Sequence, residues 1–254
     1  ESMERRGHWK RLEEAGGEEK KVTGLPVGIV LSMEGADPII TPEDAESWWN
    51  EGLRVTSLVH YGSNRYADGT GRSGPLKDPG IELLRELERL GMILDVTHLS
   101  DRGFFEALER FGGAIIATHN NCREIVPGQR QYADDQIRAI AEREGLVCVA
   151  LDAWMLHPGW VKGESSPSVL RIGSVVDHID HICSVTGNTR HVAIGSDLDG
   201  GFGYEQTPED CRSIADLQRI QPHLADRGYS EEDIHRILHG NLIDFLQKHL
   251  PAKE

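Results

Sequence analysis

The chain has 254 residues, 38% hydrophobic and 27% charged, which is enough apolar material for one large globular domain spanning 1–254. Its 42 acidic against 27 basic residues leave a formal net charge of −15, and without a basic stripe a nucleic-acid partner is not expected. No apolar run approaches the roughly 18 residues of a membrane span, and the polar, mixed-charge start does not read as a signal peptide, so no membrane association is expected.

Residues 1–21 are polar and helix-like. An apolar run at 27–33 follows and closes on Glu34. Thr41-Pro42-Glu43-Asp44 is a capping box with proline at the first helical position, and Gly52 ends that helix. The run 55–59 closes on His60. A loop rich in glycine (Gly62, Gly69, Gly71, Gly74) comes next; it lacks the Gly-Lys-Ser/Thr end of a phosphate loop and reads as a mobile lid on the substrate side. Gly91 terminates the next helix, and the run 92–96 leads to His98. Ser100 opens a helix closed by Gly112 and Gly113, the run 114–117 leads to His119, and Asp134 or Asp135 opens a helix that Gly145 closes. The run 146–151 is followed by a long loop at 157–168 and a helix starting near Val175. The last strand, 192–194, leads to Asp197, and a final helix runs from Ser230, with Asp233 completing its capping box, to about His249.

The runs are rich in Val, Ile and Leu without strict alternation, the pattern of strands buried on both faces of a parallel sheet. Strand, helix, glycine, strand repeats along the chain and predicts an α/β fold. Five of the six strands are closed by Glu34, His60, His98, His119 and Asp197. In a (β/α)8 TIM-type barrel those ends gather at one mouth, whereas an open sheet would spread them along a line, so their chemistry favours a barrel.

Carboxylate and imidazole donors without thiolate suit a catalytic zinc or a similar divalent ion. The four cysteines (Cys122, Cys148, Cys183, Cys211) are far apart and form no C-x-x-C pair; they read as reduced residues of a cytoplasmic protein. Asp177-His178-Ile179-Asp180-His181 looks metal-like but falls in a predicted helix without a partner elsewhere, and is assigned to packing and surface roles. An aspartate at the last strand can take a proton from an activated water and pass it to a leaving amine.

Met33-Glu34-Gly35, His60 with Asn64 to Asp68, Ile93 to Ser100 (ILDVTHLS), Thr118-His119-Asn120 and Ser196-Asp197-Leu198-Asp199-Gly200 resemble the renal (membrane) dipeptidase family in sequence and order, from about Val27 to Asn241. The resemblance implies a metallodipeptidase that hydrolyses dipeptides with two zinc ions and tolerates D-residues at the C-terminal position. By it, Glu34 bridges the two ions, and His98 and His119 complete one of the two sites. His60 contacts the substrate near its carbonyl and helps polarise it, Asp197 is the general acid/base, and Arg130 binds the substrate's C-terminal carboxylate, with Arg123 as the rival anchor. A homodimer is also implied. Around Leu151 to Met155 no aromatic hydroxyl is found of the kind that some members place beside the arginine. The family's first strand carries a His-x-Asp pair for the other metal site, and no such pair precedes Glu34. Six strands cannot close an eight-stranded barrel, so two further strand-helix units bearing that pair are expected upstream. Two other readings are an amidohydrolase acting on cyclic amides or N-acyl amino acids, and a non-catalytic relative.

Overall fold

Short β-branched runs become short parallel strands in the structure, a computed structural model that describes residues 9–11 and 27–251. β1 (Trp9–Arg11) and β2 (Val27–Ile29) form a separate two-stranded parallel sheet. The chain then breaks at Val30, so the single strand expected over 27–33 is two strands belonging to different sheets. β3 (Leu31–Met33), β4 (Leu53–Ser57), β5 (Ile93–Asp95), β6 (Ile115–Ala117), β7 (Leu146–Val149) and β8 (Val192–Ile194) form a six-stranded parallel sheet in that order. The helix-like reading of the start is corrected at Trp9–Arg11, where a ladder partner outweighs local helix preference. The rest of that stretch lies outside the described residues.

Each strand of the larger sheet neighbours the next in sequence, with no reversal of order. A doubly wound sheet has a switch point where the order reverses; the consecutive order seen here has none, as expected of a (β/α) barrel. Among the described residues β3 and β8 stand at the two ends of the sheet and are not paired with each other.

The connecting helices are α1 (Ala45–Asn50), α2 (Asp78–Leu90), α3 (Asp101–Arg110), α4 (Asp134–Glu142), α5 (Ala153–Leu156) and α6 (Ser174–Thr186), followed by α7 (Ile220–Asp226), α8 (Glu231–His235) and α9 (Asn241–His249). Their starts follow the predicted chemistry. The Asp44 carboxylate accepts from the Thr41 backbone N–H at 2.8 Å and from its hydroxyl at 3.2 Å. Ser100 accepts from the Gly103 N–H at 3.0 Å, and Ser230 from that of Asp233 at 3.1 Å. Gly91 closes α2 at φ 74°, a left-handed conformation that costs glycine nothing.

From β4 to β8 the sheet is buried on both faces, while β3 at its edge is largely exposed. Leu53, Leu94, Ile115, Val147 and Val192 join the large outer core with the helices, whereas Val55, Ile93, Ile116, Cys148 and Ala193 form a smaller inner cluster. Phe245 of α9 belongs to that inner cluster and is 6% exposed; burying such a side chain contributes about 1.5–3 kcal/mol. The single helix expected from Ser230 to His249 is instead α8, a π turn at Arg236–Gly240, and α9. Ile234 and Ile237 pack in the outer core while Leu242, Phe245 and Leu246 pack against the inner cluster. The wider π turn rotates the later residues relative to the earlier ones, so one helical segment serves both.

Candidate metal centre

Glu34 follows β3, His98 lies three residues beyond β5 and His119 two beyond β6, so a parallel sheet delivers all three to the same rim. His98 Nε2 and His119 Nε2 each stand 3.0 Å from Glu34 Oε1 and 3.1 Å from one another. His98 is 4% exposed. Among the described residues this is the only group of three or more His, Cys, Asp or Glu side chains placed to hold a metal ion.

The tautomers follow from the surrounding hydrogen bonds. Thr118 donates its hydroxyl proton to Asp95 Oδ2 at 2.6 Å, so the same oxygen accepts from His119 Nδ1 at 2.9 Å. In a neutral His119 that places the proton on Nδ1 and the lone pair on Nε2, facing Glu34. His98 Nδ1 is 2.8 Å from the Thr70 hydroxyl, and burial pushes its pKa down to about 3, so it too is neutral. The imidazoles of His119 and then His98, which donate to it whenever a proton sits on Nε2, hold the Glu34 carboxyl well below the usual carboxylate range. With Nε2 unprotonated on both rings, three electron-pair donors meet within 3.1 Å of one another, and a cation held by them would relieve the crowding. The donor set fits a zinc-type ion.

Backbone strain marks the same place. His98 and Asp197 have φ of 70° and 56°, in the left-handed region that non-glycine residues rarely occupy. Such strain persists where surrounding structure enforces it, and it clusters at functional sites. β8 presses so closely on the loop after β6 that a Cβ at Gly195 would lie 1.8 Å from the Thr118 carbonyl oxygen.

His60, three residues past β4, has its Nε2 3.8 Å from Glu34 Oε1 and its ring centroid 4.4 Å from that of His98. Asp197 shares one cavity of about 270 Å³ with Glu34, His60, His98, His119 and Arg130. Burial raises the Asp197 pKa above the ordinary aspartate value, while the nearby His119 opposes the shift. Arg130 is 6% exposed. It donates to Asn120 Oδ1 at 3.0 Å and to the His119 carbonyl at 2.8 Å, keeps Nε without a partner, and forms no ion pair among the described residues. Burial lowers its pKa, but a guanidinium stays charged. Arg123, in contrast, is clasped in two hydrogen bonds by Asp101, at 2.9 and 2.7 Å.

Glu34, His60, His98, His119, Arg130 and Asp197 therefore line one cavity, and Arg123, the rival anchor, does not line it. The loop read as a mobile lid carries pairings of Tyr61 with Thr70 and Ser63 with Asp68, and Gly71 donates to Gln129 at 2.9 Å. The Asp177 to His181 group is structural: His178 accepts from the Cys122 N–H at 3.1 Å, His181 pairs with Asp134 at 2.7 Å, and Asp177 and Asp180 pair with Arg227. Tyr61, Asp152 and Trp154 line the site and were missed. Asp152 had a signal, since it closes the run 146–151 just as the other five residues close theirs.

Comparison with known proteins places these features in a family. The model of the membrane dipeptidase family, peptidase family M19, matches residues 9–251. The chain is 27% identical over 222 residues to an uncharacterized dipeptidase of Schizosaccharomyces pombe, covering 85% of this chain and 52% of that protein. It is 29% identical over 228 residues to a dipeptidase of Aspergillus oryzae, covering 87% and 51%. The chain thus spans about half the length of these two relatives. Among solved structures, it resembles a metallopeptidase from Rhodobacter sphaeroides bound to a phosphinate mimic of the dipeptide L-Ala-D-Ala, at TM-score 0.77 and 27% identity, over 89% of this chain and 64% of that one. A second, a dipeptidase of the same peptidase family, gives TM-score 0.78 at 27% identity, over 89% and 67%.

Proposed function

The chain belongs to the membrane dipeptidase family, and on that premise we propose that it acts in metal-dependent hydrolysis of the peptide bond of dipeptides. The observation that carries the reading is the pairing, in one cavity, of a three-donor cluster with a buried guanidinium that has no carboxylate partner among the described residues. Glu34, His98 and His119 would hold zinc; of the two ions that the resemblance implies, the described residues furnish a cluster for one. Such an ion supplies Lewis-acid polarisation of a carbonyl and a more acidic water.

The chain's own side chains do the rest. Arg130 pairs with the dipeptide's C-terminal carboxylate, whose two oxygens match the guanidinium fork. His60 stands beside Glu34 and donates toward the carbonyl oxygen of the bond to be cut. Asp197, whose carboxylate burial makes more basic, accepts the water's proton and returns it to the leaving amine. Tolerance of a D-residue at the C-terminal position is part of the proposal, supported by likeness to the metallopeptidase bound to an L-Ala-D-Ala mimic.

A cytoplasmic homodimer is the setting we propose; the four cysteines are free, and among the described residues no helix is long and apolar enough to cross a membrane. The test is metal content of the purified protein together with hydrolysis of a dipeptide panel that includes C-terminal D-residues. Metal-dependent cleavage of dipeptides is expected. Cleavage of cyclic amides or N-acyl amino acids in their place, or metal binding without any hydrolysis, would overturn the reading.

A further inference from the structure

Beside the metal-ligand cavity, and sharing Tyr61, Asp152 and Trp154 with it, lies a second cavity of about 490 Å³. Four aromatic side chains line it, Tyr61, Trp154, Trp160 and Phe202, together with Asp152 and Gln206. Asp152 is only 6% exposed. Its carboxylate accepts from Trp154 Nε1 at 2.8 Å and from Gln206 Nε2 at 2.9 and 3.0 Å. Both donors are neutral, and among the described residues Asp152 forms no ion pair. Gln206, 5% exposed, spends its amide protons on Asp152 and leaves Oε1 buried without a donor. Lys162 reaches the rim of the cavity but is exposed, and its charge acts on Glu205.

A buried carboxylate without a cation is costly, and burial raises the Asp152 pKa accordingly. Two acceptors, one of them anionic, stand among four ring systems. Aromatic faces attract cations through their negative quadrupole, and a carboxylate adds charge-assisted hydrogen bonds. An acidic side chain placed here would set carboxylate against carboxylate, and a purely apolar one would desolvate Asp152 without pairing it.

We propose that this second cavity is a side-chain subsite for an ammonium or guanidinium group of the dipeptide, with Asp152 as its specificity-determining anion. The inference rests on the dipeptidase reading for the word dipeptide and on the cavity alone for the word cation. Because Asp152 is shared by both cavities, a substrate at the metal ligands extends one side chain past it without rearrangement of the chain.

The test compares kcat/KM of the zinc-loaded protein for Ala-Lys against Ala-norleucine, and for Lys-Ala against norleucine-Ala. In one of the two pairs a preference for lysine of about 10- to 100-fold is expected, the range of a buried charge-assisted hydrogen bond. In Asp152→Asn the lysine-to-norleucine ratio should fall toward one, whatever the absolute rates. No lysine preference in either pair overturns the proposal, and so does a preference that survives in D152N. Fluorescence titration of the tryptophans with n-butylammonium and with 1-butanol separates this from the dipeptidase reading. If no dipeptide is cleaved yet butylammonium alone binds saturably, the activity falls and the subsite stands. Equal responses to both probes sink the subsite. The wild-type comparisons decide the matter even where D152N does not fold.

Discussion

Thr118 sits between Asp95 and His119, giving its one proton to Asp95 at 2.6 Å and thereby receiving the proton of His119 Nδ1 at 2.9 Å. The relay sets which nitrogen of a neutral His119 carries the proton, leaving Nε2 open toward Glu34. Its partner Asp95 also accepts the backbone N–H groups of Thr97 and Thr118, at 3.0 and 3.1 Å, so the relay is rigid. Thr118→Val keeps the shape of the side chain and removes the hydroxyl. Metal affinity should drop about 10- to 100-fold, the usual effect of losing an outer partner of a metal-bound histidine. Zinc titration against a competing chelator measures it, and an unchanged affinity would mean that the tautomer is held by something else.

Asp197→Asn should leave metal content nearly unchanged while turnover falls on the order of 10²-fold or more, because an amide cannot carry the proton. Metal analysis beside steady-state kinetics gives both quantities. Turnover near that of the unaltered chain would move the acid/base role to another residue.

Arg130→Ala should weaken the use of free dipeptides much more than that of C-terminally amidated ones, since only the free acids present a carboxylate to the guanidinium. Equal losses on both substrates would argue that Arg130 serves the site only by bracing Asn120 and the His119 carbonyl. Arg123→Ala, which breaks an ion pair with Asp101, should not discriminate between the two substrate types.

His178 is fully buried, and its Nδ1 must be unprotonated to accept from Cys122. Burial pushes its pKa down to about 4, below the ordinary histidine value of 6.5. The stability it contributes is therefore complete above about 6.5 and is lost as pH falls from there toward 4. The loss should be a few kcal/mol, at about 1.4 kcal/mol for each pKa unit. Urea unfolding at pH 7.5 and at pH 4.5 should show a smaller acid-induced loss in His178→Gln than in the unaltered chain. Parallel losses would assign the acid sensitivity to other groups.

Local sequence determined much of this protein. Hydrophobic runs closed by single polar residues identified the strand ends that carry Glu34, His60, His98, His119 and Asp197, and the serine and threonine caps at Thr41, Ser100 and Ser230 identified where helices start. These are short-range matters, set by side chains a few residues apart. The break at Val30, the strand at Trp9–Arg11 and the π turn at Arg236–Gly240 were not legible, because each depends on a partner remote in sequence: a ladder with Val27–Ile29, or an inner cluster that Phe245 must reach. Asp152 shows the same division within the site. Its position at a strand end was visible in the sequence, but its meaning was not, since nothing near it announces that Gln206, 54 residues on, and the rings of Tyr61 and Phe202 stand around it. Only tertiary structure decides whether a carboxylate meets water, a cation or a buried amide, because desolvation and the positions of donors are properties of the packed chain.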